Sequence, residues 1–241
     1  IPMNFTRLLT QKIRAASEDH VYQIGETYGS DELIASYVGS GKVDAQFNFN
    51  LYDAAFEAFT QEGATFDRLR KALESSLTYY GHHHLMGNIS GNQDKPRFSS
   101  MASGHLSMSE DSKLAGWTRE IPEPIKRGYR KMAAMHAFNI AVPGIPILYY
   151  GDEIALHGGN DPDNRKMMPF DFSPRQQQLF DRIARLNENR TNIMALNYGS
   201  TTIHQPEPHL LIIVRKYMEQ EERFFFNNSN EDRYLEEWDI T

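Results

Sequence analysis

Residues 145–153, IPILYYGDE, are the clearest strand signal in the chain: a short, wholly apolar run that stops at Gly151 and is followed at once by Asp152 and Glu153. A run this short, bounded by a turn residue, suits a strand buried on both faces. On its N-terminal side, residues 124–140 carry a helical pattern entered through Pro122 and Pro124. On its C-terminal side, Ser173-Pro174 reads as an N-cap followed by proline in the first helical turn, and the helix it opens carries Leu179, Ile183 and Leu186.

The same alternation extends towards the N-terminus. Phe5, Leu8, Leu9 and Ile13 recur at helical spacing, so residues 4–17 are expected to be a helix. HVYQIGETY (20–28) reads as a strand ending in Gly25-Glu26, and KVDAQFNFN (42–50) as a second. Phe66, Leu69, Leu73 and Leu77 mark a helix leading into a third strand at HHLMGN (83–88). Behind that strand comes ISGNQDKPRF, where Asp94 sits among Gly91, Asn92, Lys95, Pro96 and Arg97. Asn, Gly, Asp and Pro all favour turns, so a capped turn explains those residues as readily as a catalytic loop does. Strands alternating with helices of this length imply βαβ units and a parallel sheet. In a β/α barrel the active site lies at the C-terminal ends of the strands, so Glu26, Asp94, Asp152 and Glu153 are candidates to converge on one mouth. Paired carboxylates are the equipment of glycosidases. After about residue 196 the pattern changes: HLLIIVRKY (209–217) and RFFFNNSN (223–230) read as strands joined by the charged turn MEQEE, the start of an antiparallel β module.

Composition narrows the classes. The 241 residues are 40% hydrophobic and 24% charged, with a net charge of −7, as suits one large or two small globular domains. No basic stripe marks a nucleic-acid binder; KIR (12–14) and RLRK (68–71) lie in helical patterns with acids nearby and read as solvated helix faces. With no cysteine there is no disulfide framework and no thiolate zinc site. No apolar run reaches the roughly 18 residues of a membrane span. IPMNFTRLLTQ opens directly into an amphipathic pattern without a signal peptide, and the chain is expected to be part of something longer.

Three motifs together resemble the α-amylase family of glycoside hydrolases, in its neopullulanase and cyclomaltodextrinase-like branch. QIGETY is similar to the strand motif bearing the general acid/base, which implies that role for Glu26. GNQDKPRF is similar to the Asn-His-Asp motif whose aspartate stabilises the transition state, which implies Asp94. GIPILYYGDEIALHGGNDPDNRKMMPFD is similar to the last barrel strand and its following loop. The resemblance implies the second half of a (β/α)8 barrel over residues 1–195 and the start of a C-terminal all-β domain over 196–241. It implies an α-glucan substrate (starch, maltodextrin, pullulan or cyclodextrin) and retaining hydrolysis of α-1,4 bonds by the intact enzyme. No cofactor is required, calcium is an option in the longer protein, and a periplasmic or extracellular setting suits a starch-degrading parent. Asn92, Gln93, Arg97, Asp161 and Arg165 are the candidate substrate contacts.

Two departures stand out. Position 93 is Gln where the family has a hydrogen-bonding His; an amide still donates but cannot titrate. The family's nucleophilic aspartate lies one βα unit before the Glu26 motif, and no match to it is found here. By type alone Glu26 is a solvated strand-end residue, Arg97 an ion-pair partner as readily as a sugar contact, and Asp161 and Arg165 braces of their own loop. His82-His83-His84 invites a metal reading, but neighbours on a strand point to opposite faces, so packing or surface roles are expected, with no metal. The alternative to an enzyme is a non-catalytic amylase-like glycan-binding or scaffold protein; a sugar-transferring relative would use the same residues. A half-barrel on its own is also expected to self-associate through its open face.

Overall fold

The computed structural model describes residues 2–233. Helix α1 (Met3–Ala16) leads to strand β1 (Ile24–Gly25), and a short helix α2 (Asp31–Ser36) to β2 (Ala45–Gln46). Helices α3 (Phe49–Thr60) and α4 (Asp67–Tyr80) precede β3 (Gly87–Ile89). Helices α5 (Phe98–Ser103), α6 (Ser112–Thr118) and α7 (Lys126–Ala141) lie between β3 and β4 (Ile145–Ile147), and α8 (Pro174–Asn192) follows. The strands pair in parallel, Ile24 with Ala45 and Gly87 with Ile145, and a parallel bridge from Phe47 to Gly87 joins the two pairs. The result is one arc in the order β1-β2-β3-β4 with helices in every connection, the architecture of half a (β/α)8 barrel.

The ladders are shorter than the sequence pattern predicts, and capping is one reason. KVDAQFNFN alternates like a strand throughout, yet α3 begins inside it at Phe49. The buried Asn48 accepts the Leu51 N–H on its side chain at 3.4 Å and donates to Ser76 Oγ at 2.9 Å, so the backbone leaves the sheet for the helix there. IPILYYGDE is likewise in the ladder only at Ile145–Ile147. It turns at Gly151, whose φ of 85° is left-handed and where a Cβ would lie 2.8 Å from the Leu156 side chain, and Asp152–Ile154 then form one 3-10 turn. Helices α1 and α7 fall within two residues of the expected spans, and α8 opens at Pro174 directly after Ser173, as expected. Ser173 and Gln176 form a reciprocal capping box at the start of α8.

After α9 (Met194–Tyr198) the chain builds an antiparallel sheet, β5 (Ser200–Glu207), β6 (Leu210–Tyr217) and β7 (Gln220–Asn227). Strand β5 was not expected: it carries Pro206 and polar residues, and its register breaks between His204 and Glu207. The part of the expected β domain at 234–241 lies outside the described residues. Phe59 of α3 sits 5.8–5.9 Å, centroid to centroid, from Phe66, Phe138 of α7 and Phe226 of β7, in edge-to-face contacts. The buried Arg215 of β6 donates to the carbonyls of Ala141 and Gly199, tying the sheet to the end of α7. Among the described residues no helix is long and apolar enough to cross a membrane.

Candidate active site

The C-terminal ends of β1 and β3 open onto one face. Gly25, the last residue of β1, lies so close to the Gln46 side chain that any Cβ would press into it; Glu26 follows, exposed. The next turn is pinned from behind: Asp31 accepts from Asn50 at 2.8 Å, from the Tyr80 hydroxyl at 2.7 Å, and from Ser75. That anchoring lays Tyr28 flat on Phe49, with ring centroids 4.0 Å apart and planes 18° from parallel. The Tyr28 phenol is raised, first by burial and next by the Glu26 charge; the Asn92 side chain opposes the rise, and Asp53 and Asp94 add to it.

Within the loop after β3, Asn92 Oδ1 accepts the Asp94 N–H at 3.0 Å, a turn that sets the carboxylate's direction. Gln93 Nε2 donates to Asp94 Oδ2 at 3.1 Å, so the residue standing where the family has His still donates, here to Asp94. Arg165 Nη2 donates to Asp94 Oδ1 at 3.3 Å, while its Nε reaches Gln93 O at 3.2 Å and Asp161 Oδ1 at 3.1 Å. Lys113 of α6 lies 3.4 Å from the other oxygen of Asp161. The structure thus brings Asn92, Gln93, Asp94, Asp161 and Arg165 into one cluster. Underneath, the buried Asn164 donates to the carbonyls of Gln93 at 2.8 Å and Lys95 at 2.7 Å and clamps the loop.

Arg97 is not presented to a substrate. Its side chain is 1% exposed, pairs with the equally buried Asp152 at 3.0 Å, donates to the Tyr150 and Asn164 carbonyls, and lies against the Tyr149 and Tyr150 rings. A guanidinium with these partners braces the floor of the site, which corrects the expectation of a sugar contact. Asp152 also accepts from Ser90 Oγ at 2.6 Å. Burial pushes the Asp152 carboxyl up to about 6, while the charge of Arg97 and the Ser90 hydroxyl pull it back.

The histidine run divides. His82 and His83 are exposed. His84 accepts the Met86 N–H at 3.2 Å and sits edge-on to Tyr80, and burial pushes it down to about 4. Among the described residues no group of three or more His, Asp or Glu could hold a metal ion.

Sequence reasoning missed Asn164, Asp53 and Lys95. Lys95 pairs with Asp53 of α3 at 3.1 Å and lies 5.8 Å from the centroids of both Tyr28 and Tyr52. Lys95 had only its place next to Asp94 to mark it, and a single acid on a helix surface carries no signal.

The pattern "Alpha amylase, catalytic domain" matches residues 2–194. The chain belongs to the α-amylase family. The cyclomaltodextrinase of Geobacillus thermopakistaniensis is 26% identical over 235 residues, covering 96% of this chain and 35% of that protein. α-Amylase 1 of Lipomyces kononenkoae is 29% identical over 178 residues, covering 73% of this chain and 24% of that protein. The chain thus spans about a third or less of the length of these relatives. Among solved structures, an Anoxybacillus α-amylase superposes with a TM-score of 0.78 at 24% identity, over 96% of this chain and 46% of its own, which shows the shared fold. A three-domain cyclomaltodextrin glucanotransferase superposes at 0.72 with 27% identity, over 94% of this chain and 42% of its own. In this family, four parallel strands with α/β connections are half of the catalytic barrel.

Proposed function

We propose that the protein carrying this chain hydrolyses α-1,4-glucosidic bonds of α-glucans with retention, and that this chain supplies its acid/base and one stabilising carboxylate. The observation that carries the reading is the placement of Glu26 directly after β1 and of Asp94 in the loop after β3, at the same end of one parallel arc, with Arg165 holding one oxygen of Asp94. Its relatives by sequence are named cyclomaltodextrinase and α-amylase, which supports the substrate class.

In this reading Glu26 protonates the glycosidic oxygen while an aspartate from outside these four strands attacks the anomeric carbon. The bond to the leaving oxygen breaks as the glycosyl ester forms. Glu26, now a carboxylate, takes a proton from water, and that water's oxygen displaces the ester. Asp94 faces the positive charge that develops on the sugar ring. No step requires a cofactor.

The test is Glu26→Gln in the full-length protein, assayed on maltooligosaccharides. Loss of acid/base assistance lowers turnover by about 10²–10⁴-fold; near-normal turnover removes Glu26 from the mechanism. An unmodified full-length protein that binds maltooligosaccharides without cleaving them supports the non-catalytic glycan-binding reading instead.

A further inference from the structure

The end of the arc opposite the mouth holds a cavity that the reaction does not use. The histidine run precedes β3 and residues 143–146 lead into β4, so the cavity they border lies at the N-terminal ends of these strands. Arg190 of α8 and Tyr198 of α9 complete the lining, and no acid is part of it. Its volume is about 350 Å³, within the roughly 300–1,000 Å³ of small-molecule sites.

Arg190 is fixed in place. Its Nη1 donates to the carbonyls of Ile140 at 3.0 Å and Val142 at 3.3 Å, and its Nη2 to that of Gly144 at 2.6 Å. A guanidinium has more N–H donors than these bonds use. Burial pulls Arg190 down to about 10, and no carboxylate among the described residues pairs with it. Asn197 donates to the Arg190 carbonyl at 2.7 Å and so holds the turn that carries Tyr198. His82, His83 and Tyr198 are exposed, and none has a hydrogen-bond partner among the described residues. An imidazole offers an N–H in either protonation state, and a phenol an O–H. His84 reports the sign of the local field: burial lowers it first, and the charges of Arg215, Arg190 and His82 each lower it further.

A cation and three neutral or cationic donors, with no acid to answer them, call for an anion. Donors from four side chains suit the three divergent oxygens of a phosphate better than the two of a carboxylate. The apolar surfaces of Leu85, Pro143 and Pro146 beside them suit an organic body. We propose that this cavity binds a small phosphomonoester, with its phosphate on Arg190, His82, His83 and Tyr198 and its organic part against Leu85 and Pro146. The site is separate from Glu26 and Asp94 and does not depend on what they catalyse.

The full-length protein is titrated calorimetrically with phenyl phosphate, inorganic phosphate and chloride at matched ionic strength. Phenyl phosphate is expected to bind more tightly than inorganic phosphate, and chloride not to bind. The double variant His82→Ala/His83→Ala removes two exposed side chains, so its thermal midpoint without ligand stays unchanged, and it binds phenyl phosphate about tenfold more weakly. Tyr198→Phe deletes one exposed hydroxyl and weakens binding about threefold. Absence of phenyl phosphate binding, equal binding of chloride, or full affinity in both variants overturns the site. Inorganic phosphate binding as tightly as phenyl phosphate overturns the assignment to an ester. Displacement of phenyl phosphate by maltotriose overturns the proposal as well, because it places a neutral sugar in the cavity.

Discussion

Arg97 and Arg165 lie on either side of the Asp94 loop and do different jobs. Arg165 is 44% exposed at its side chain and shares itself among Asp94, Asp161 and a carbonyl, so it can exchange partners when a ligand arrives. Arg97 is sealed in against Asp152. Removing one member of a buried pair leaves the other charge without compensation, so Arg97→Ala costs about 3–5 kcal/mol, read as a lower urea midpoint; a change under about 1 kcal/mol would mean that Asp152 takes up a proton at little cost. Histidines give the pH dependence its sign. Burial holds His84 and His136 at about 4 in the folded chain against 6.5 unfolded. Below 6.5 the unfolded chain therefore gains protons that the folded chain refuses, and the stability these residues contribute is complete above that pH and lost towards 4. Asp152, at about 6 folded against 3.8, takes up its proton in the folded chain first and offsets part of the loss. The two histidines outweigh the one carboxyl, so the net expectation is a denaturation midpoint that falls between pH 7 and pH 4; a flat profile would refute it.

At the scale of elements, caps position the site more than strand length does. Asn48 ends β2 and starts α3, and α3 carries both Phe49, on which Tyr28 rests, and Asp53, which holds Lys95. Ser173 does the equivalent for α8, accepting the Gln176 N–H at 3.4 Å while Gln176 Oε1 accepts the Ser173 N–H at 2.9 Å. Ser173→Ala therefore costs about 1 kcal/mol, measured by thermal unfolding. No shift would show that Leu179 and Ile183, the buried residues of α8, hold the helix without its cap.

At the scale of the molecule, the arc is open. Among the described residues β1 pairs only with β2 and β4 only with β3, and the β4 residues are half-buried despite being wholly apolar. The apolar stripe of α1 is also uncovered, with Phe5, Leu8 and Leu9 at 54%, 52% and 46% exposure. Unpaired parallel edges and exposed apolar faces recruit partners. We therefore expect residues 1–241, made alone, to sediment as oligomers or to need the complementary half-barrel, and to leave maltooligosaccharides uncut. A monodisperse monomer that cleaves starch would defeat both expectations.

The amino-acid pattern by itself determined the alternation of strands and helices, the parallel arrangement and the seats of Glu26 and Asp94, one at a strand end and the other in the loop after β3. Those depend on side-chain period and turn chemistry, which operate over a few residues. Only the tertiary structure decided that Arg97 faces inward, that Asn164 clamps the Asp94 loop and that Lys95 reaches Asp53. Those bonds join residues 55, 71 and 42 positions apart. The α1 stripe shows the same limit from the other side: its helical spacing is plain in the sequence, but no described partner covers its apolar face. Whether a charged or apolar side chain is buried depends on which distant surface folds over it, and local periodicity carries no record of that surface.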